Sequence, residues 1–260
     1  MNIILFEPHE AEKGALPRGD RRVRHLLSVL RAGPGDSFAA GILNGKKGSL
    51  EILSVNAESL SFRFVPGSPP PALLPLDIIV GLPRPLVTGR LIKDLACLGL
   101  RSLHFVRATL CEKSYLSGSL WQKQEYRQHL LEGLQQSGTT LLPEVRLHER
   151  FDSCLACFSA APHAYRASAV SATPAAAAAP GSGDSCRCVL DQRTEIFLRD
   201  IPPRGAAVLA IGPERGWIEA ELEKFKTAGF LVCRMGPRIL RTEAAALAAS
   251  ALMLSRMGYM

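Results

Sequence analysis

The sequence predicts an α/β protein in two parts: a small β-barrel over residues 1–67 and a mostly parallel sheet with flanking helices over residues 76–260. Three observations carry this. Short apolar runs separated by Gly and Asn turns fill the first part. From residue 76 onwards strand-like and helix-like runs alternate, which is the pattern of a parallel sheet whose crossovers are helices. Between the parts, PGSPPPALLP at 66–75 concentrates proline, which has no backbone N–H to donate; residues 68–75 therefore read as a linker.

Taken in order, residues 2–6, 37–42, 49–55 and 59–64 read as strands, with the turn Leu43-Asn44-Gly45 after the second. A helix over 21–30 interrupts them, with Val23, Leu26, Leu27 and Leu30 on one face. In the second part LDIIVGL (76–82) reads as a buried strand, 87–98 as a helix, SLHFVRA (102–108) as a strand and 121–137 as a long amphipathic helix. AAVLAIG (206–212) and FLVCRMG (230–236) read as strands, each followed by a helix, at 218–228 and 241–257. RASAVSATPAAAAAPGSGDS (166–185) is low in complexity. Pro174, Pro180 and the glycines bracket its alanines, so it reads as a flexible surface insertion.

Composition bounds the partners. A chain of 260 residues that is 47% hydrophobic can bury a sizeable core. A net charge of +7 suits a polyanion such as nucleic acid, although proteins without such a partner carry similar surpluses. No apolar run approaches the roughly 20 residues that span a membrane, and MNIILFEPHEAEKG has neither a basic leader nor a signal-peptide core, so a cytoplasmic protein is expected. The seven cysteines are irregularly spaced. Cys154 and Cys157 form C-x-x-C, and Cys186 and Cys188 form C-x-C, but no second C-x-x-C or clustered His completes a zinc site. They read as free thiols of a reducing compartment, and no metal is expected.

Two strands end in glycine-containing turns that lead into helices: AIGPERGW (210–217) and MGPRILRTEAAALAAS (235–250). Ligands of parallel sheets bind at the carboxyl ends of strands, where these turns lie. Glycine admits close backbone approach and proline fixes the path. Two such turns facing each other suit a flat heterocycle; ordinary strand–helix connections would look similar. Neither turn matches G-x-G-x-x-G or G-x-x-x-x-G-K-[ST], which disfavours a dinucleotide fold or a P-loop. A basic stretch, Arg18, Arg21, Arg22, Arg24, His25 and Arg31, alternates with the apolar helix face and is expected to face solvent, as a phosphate contact or merely as a solvated surface.

These residues carry a resemblance. IGPERG (211–216) followed by MGPRILRTEAA (235–245) resembles the C-terminal signature of the RsmE-like family, SPOUT-class methyltransferases of uridine N3 in bacterial 16S ribosomal RNA. HLLSVLRAGPGD (25–36) is similar to the family's H-x-x-x-V-L-R…G-D stretch in a PUA-like barrel. LIKDLACLGLRSLHFV (91–106) resembles its K-x-x-x-L-G-V helix and strand, and LLEGLQQSGTTLLPEV (130–145) its E-x-x-x-Q-S…P stretch. All five blocks agree in order and spacing.

The resemblance implies an α/β knot, a deep trefoil threaded near residues 206–245, which composition alone would never suggest because knots are so rare. It implies S-adenosylmethionine bound in the knot by Gly212, Glu214 and Gly216 of the first turn and Met235, Gly236, Ile239 and Leu240 of the second. It further implies a homodimer acting on 16S rRNA or the small ribosomal subunit, with the PUA-like barrel and its basic stretch supplying RNA affinity. Ile239 and Leu240 would give adenine an apolar slot. Arg241 or Arg238 would steady the uracil anion left when N3 loses its proton, since a guanidinium offers forked donors; either could instead bind phosphate or pair with Glu243. Thr242 reads as a helix cap. Glu214 would accept the proton or orient the methionine amine. Arg215, Cys97, Thr139 and Ile218 depart from the family pattern. Arg215, Cys97 and Thr139 motivate a second reading, a non-catalytic RNA-binding relative of the same fold, against which the intact GPRILRTE stretch argues; a third keeps the chemistry but changes the RNA.

Overall fold

The computed structural model describes residues 2–159 and 185–260. In chain order its elements are β1 (Ile4–Phe6), α1 (Pro8–Lys13), β2 (Ala15–Pro17), α2 (Arg21–Arg24), β3 (Ser37–Ile42), β4 (Lys47–Val55), β5 (Ser59–Pro66), β6 (Leu74–Gly81), α3 (Pro85–Cys97), β7 (Leu100–Val106), α4 (Ser119–Gln122), α5 (Tyr126–Ser137), β8 (Glu144–His148), α6 (Phe151–Ser159), β9 (Ser185–Leu190), β10 (Ala206–Ile211), α7 (Glu219–Thr227), β11 (Leu231–Cys233) and α8 (Thr242–Arg256). Among the described residues no helix is long and apolar enough to cross a membrane. The expected insertion at 166–185 lies outside the described residues except for Ser185, which opens β9.

The chain divides into two compact units, residues 1–72 with 127–142, and residues 73–126 with 143–260. In the first, five strands pair in the order β1-β3-β4-β5-β2. Only β1 and β3 run parallel; the other pairs are antiparallel. Alternation puts Leu50 and Ile52 of β4 and Leu60 and Phe62 of β5 inside with Phe6, Leu16, Val23 and Leu26. Phe6 and Phe62 stack with centroids 4.6 Å apart. Each such buried side chain contributes roughly 1.5–3 kcal/mol. A register shift between Ile52 and Ser54 marks a bulge, a device that bends and twists a strand.

Two expectations are corrected here. The helix over 21–30 is α-helical only from Arg21 to Arg24; His25–Val29 is π-helical, closed by Leu30 N–H donating to the His25 carbonyl at 3.1 Å. The wider turn rotates Leu30 off the apolar face, and it is 46% exposed. Residues 127–142 belong to the first unit, not to the second. The expected 121–137 helix breaks between α4 and α5, and α5 is tied to the first unit by Arg127–Glu7 at 2.6 Å and Arg21–Glu132 at 2.9 Å. The loop after it is pinned to the Asn44-Gly45 turn: Thr140 Oγ1 donates to the Gly45 carbonyl at 2.6 Å, and Asn44 Oδ1 accepts from Leu142 N–H at 3.0 Å. Asn44 sits at φ +56, a left-handed position that asparagine tolerates.

The second unit is a six-stranded sheet ordered β11-β9-β10-β6-β7-β8, with every pair parallel. β10 is apolar on successive residues and β6 is broken only by Asp77, because both of their faces are covered, whereas β7 interleaves Arg101, Ser102 and His104 with the buried Leu100, Leu103, Phe105 and Val106. β6 already begins at Leu74, inside the expected linker. Residues of α6 and α7 join Ile79, Val106, Val189 and Val208 in one core, in which Phe225 meets Trp217, Phe151 and Phe230 edge-on with centroids 5.0–5.1 Å apart. Helix α8 packs on β6 and β10, and α3 on β7 and α8.

One polar chain crosses this interior. Arg101 holds both Asp77 oxygens, Ser102 Oγ–H donates to Asp77 at 2.6 Å, and His104 Nε2 lies 3.0 Å from Ser102 Oγ. His104 Nδ1 lies 3.0 Å from His148 Nε2. Burial, with His148 beside it, pushes His104 down to about 3, so the ring is neutral. None of the seven cysteines forms a disulfide.

Candidate active site

The first glycine turn follows β10. Gly216 takes φ +72, which glycine adopts freely, and its N–H donates to the Pro213 carbonyl at 2.9 Å. A Cβ on Gly212 would lie 3.2 Å from the Gly216 Cα, so the turn closes tightly on itself. It is also pressed against the end of β6, where a Cβ on Gly81 would come within 2.3 Å of the Pro213 ring. Behind it, Arg193 donates to the Trp217 carbonyl at 2.7 Å while pairing with Asp191 at 2.8 Å and Glu219 at 3.0 Å. Burial alone would raise the Asp191 carboxyl, but Arg193 and its backbone N–H hold it below the usual carboxylate range. Sequence reasoning passed over this Asp191–Arg193 clamp; the polar run DQRTE straight after the apolar CRCVL was the available signal.

The second turn follows β11 and has a different character. Met235 and Gly236 are half-buried, and Pro237, Arg238, Ile239, Leu240 and Arg241 are exposed. Ile239 is 87% exposed and Leu240 41%. A Cβ on Gly236 would meet nothing within 4 Å. Gln192 Nε2 donates to the Arg238 carbonyl at 3.3 Å, anchoring the loop at one point.

One hydrogen bond joins the turns. Thr242 Oγ1 donates to the Gly212 carbonyl at 3.0 Å across 30 residues, and Thr242 is buried. This corrects its expected role as a cap. Arg241 holds the cap position with extended backbone and no side-chain cap, and Thr242 is the first helical residue. The hydroxyl is spent on the other turn. Glu214 is exposed on the first turn, 3.4 Å from the Arg84 N–H and 3.9 Å from its Nε. Arg84 stands just before α3 at the carboxyl end of β6.

Of the departures, Arg215 is exposed and Cys97 half-buried with its thiol pushed up by burial. Ile218 takes the cap of α7 and offers no side-chain acceptor to the first turn; the buried Glu221 instead satisfies the cap residue's own N–H, its Oε2 accepting from Ile218 N–H at 3.0 Å and its Oε1 from Thr109 N–H at 2.7 Å. Thr139 is half-buried in the first unit.

The basic stretch lies in the first unit, and one member is withdrawn from it. Arg18, Arg21, Arg24 and Arg31 are exposed and His25 is half-buried. Arg22, expected at the surface, instead points inward: it donates to Glu10 at 2.6 and 2.7 Å, to Asp20 at 2.7 and 3.0 Å and to the Leu5 carbonyl at 2.8 Å, with its guanidinium 5.7 Å from the Phe6 ring. The carboxylates of Glu10, in α1, and Asp20, at the cap of α2, make this inward position favourable. Arg22 in turn holds Glu10 and Asp20 below the usual carboxylate range, through its hydrogen bonds against the opposing effect of burial.

The RNA methyltransferase domain family matches residues 70–254. A ribosomal RNA small subunit methyltransferase E of Treponema pallidum is 36% identical, covering 98% of this chain and 91% of its own. Ribosomal RNA small subunit methyltransferase E 1 of Borreliella burgdorferi is 28% identical over 99% of each. Among solved structures, a ribosomal RNA small subunit methyltransferase E of Neisseria gonorrhoeae bound to S-adenosyl methionine is similar at a TM-score of 0.72 and 22% identity, over 98% of this chain and 97% of that one.

Proposed function

Since the chain belongs to the ribosomal RNA small subunit methyltransferase E family and is an RNA methyltransferase of the SPOUT-type α/β-knot fold, with a small barrel-like domain before the knot, we propose that it transfers the methyl group of S-adenosylmethionine to N3 of one uridine in 16S rRNA of the small ribosomal subunit. The observation that carries this is the Thr242–Gly212 bond, which brings the two glycine turns of the signature to one place at the ends of β10 and β11.

The cofactor fits the residues present. Space beside the backbone is open at Gly216 and Gly236, where a Cβ would meet nothing within 4 Å, and Gly212 closes the first turn against Gly216. These, with Met235, Ile239 and Leu240, hold the cofactor, and Glu214, steadied by Arg84, orients its amine. Bound there, its sulfonium supplies an electrophilic methyl group. Uracil N3 must lose a proton to accept it. Arg241, with Arg238 as its neighbour, steadies the resulting charge on O2 and O4, and the water-exposed position of both leaves them free for substrate.

The exposure of Ile239 and Leu240 supports a homodimer in which the second chain covers this loop. Arg18, Arg21, Arg24, His25 and Arg31 of the first unit supply phosphate contacts, and Arg22 holds the segment that presents them. The setting is the cytoplasm. Mass spectrometry of rRNA nucleosides from a strain lacking this protein tests the proposal. Loss of 3-methyluridine from 16S rRNA, restored by the gene, is expected; unchanged 3-methyluridine would refute it.

A further inference from the structure

Away from the glycine turns, at the β7–β8 edge of the sheet, His104 of β7, His148 of β8 and Cys154 of α6 meet in the interior. All three are buried, and one ligand atom from each lies within 4.8 Å of the others. The sequence had shown no clustered His; 44 residues separate the two imidazoles, and only the parallel pairing of β7 with β8 brings them to 3.0 Å.

We infer that His104, His148 and Cys154 form a binding site for one zinc-like divalent ion that clamps β8 and α6 to the sheet. The hydrogen-bond directions support it. Ser102 spends its proton on Asp77, so its oxygen accepts from His104 Nε2–H. That leaves the His104 Nδ1 lone pair facing His148. Ligating imidazoles in metal sites are oriented in this way, by a carboxylate or hydroxyl acting on the far nitrogen, and here Arg101 in turn fixes the carboxylate. Two imidazoles and a thiol suit zinc or cobalt and exclude magnesium and calcium, which take oxygen.

The fit needs the side chains to turn. Metal–nitrogen bonds of about 2.0–2.1 Å set tetrahedral ligand nitrogens about 3.3 Å apart, so the pair opens by a few tenths of an ångström. The two rings lie within 5° of coplanar with centroids 5.2 Å apart, meeting head-on, so each tilts by roughly 35° to aim its nitrogen at one ion, and the Cys154 sulfur closes by about 1 Å. Binding displaces the thiol proton of Cys154 to solvent and moves the His148 proton to its Nδ1. A solvent molecule would complete four-coordination; Cys157, three residues along α6, is engaged with Arg146 Nη1 at 3.6 Å.

The test uses the full chain, stripped with a chelator and titrated with Co2+, then Zn2+. One Co2+ per chain is expected, with a near-ultraviolet thiolate-to-cobalt band, displaced by Zn2+ with a rise in the thermal midpoint. Cys154→Ser and His148→Gln should abolish the band with circular dichroism unchanged, Ser102→Ala should weaken binding about tenfold or more, and Cys186→Ser should leave the band intact. Should the variants fail to fold, the rise in the thermal midpoint of the unaltered chain with Zn2+, reversed by a chelator, decides the matter. No cobalt binding, a band that survives Cys154→Ser, or a thermal midpoint indifferent to Zn2+ would each show that the cluster is a buried hydrogen-bond chain only.

Discussion

The two glycine turns of the candidate site share a motif and differ in how they are held. The 212–217 turn is fixed from three sides: Gly81 presses on Pro213, Arg193 holds the Trp217 carbonyl, and Thr242 holds the Gly212 carbonyl. The 236–241 turn is held by Gln192 at the Arg238 carbonyl and by Thr242 just past its end, with Ile239 and Leu240 turned to water. A tight turn with buried polar partners is preorganised before any ligand arrives; an exposed apolar loop needs something to cover it. One half of the site is thus built by the single chain, and the other half is completed by what binds.

This contrast is open to direct attack. The largest effect should come from Gly236→Val. Its backbone is not in the left-handed region and a side chain would meet nothing nearby, so the thermal midpoint should hold while calorimetry with S-adenosylmethionine shows binding abolished. Retained affinity would place the cofactor elsewhere. Next, Arg241→Lys keeps the charge and loses the planar fork. Single-turnover methylation of small subunits should fall roughly a hundredfold or more with cofactor affinity unchanged; a normal rate would pass the role to Arg238.

Smaller effects probe the scaffolding. Arg21→Ala with Arg24→Ala should weaken RNA binding and flatten its salt dependence, while stability falls by no more than the exposed Arg21–Glu132 pair contributes, up to about 1 kcal/mol. Arg22→Ala should instead lower stability, because it leaves Glu10 and Asp20 facing each other without their cation; equal effects on RNA affinity from both would erase the distinction. Thr242→Val should cost about 1 kcal/mol in denaturant titrations, the usual worth of one hydrogen bond, and should loosen the 212–217 turn.

The smallest effect is on acid stability. Asp191 is held below its unfolded value of about 3.9, so its contribution is fully present above that pH and fades as pH falls below it. Asp191→Asn should therefore flatten the stability profile below about pH 4 and be felt above it as a constant loss; a profile unchanged in acid would show that the clamp adds nothing.

Local pattern made the parallel sheet and both turns legible, because β10 is apolar throughout, β6 is broken only by Asp77, β7 keeps four apolar residues among its polar ones, and the turns carry Gly and Pro at fixed places. What escaped was held by distance. Arg193 reaches Trp217 across 24 residues and Thr242 reaches Gly212 across 30, with no periodicity to announce either. β8, with EVRLH at the sheet edge, lacks the apolar run of a covered strand. Arg22 looked like its neighbours, and only the partners at Glu10 and Asp20 separate it from them. The resemblance to a known signature supplied the knot, which no residue pattern predicts.

The division of the chain also bears on how it is made. The first unit is discontinuous: its last piece, residues 127–142, is synthesised only after residues 73–126 have been. Domains ordinarily fold as units from the N-terminus as the chain leaves the ribosome. Here the barrel strands emerge early, yet the residues that pair with Glu7, Arg21 and the Asn44-Gly45 turn arrive much later. The nascent first unit must wait, its helix-covered side open, while a stretch of the second is being translated, and a break in the chain between residues 72 and 127 would sever it from part of itself.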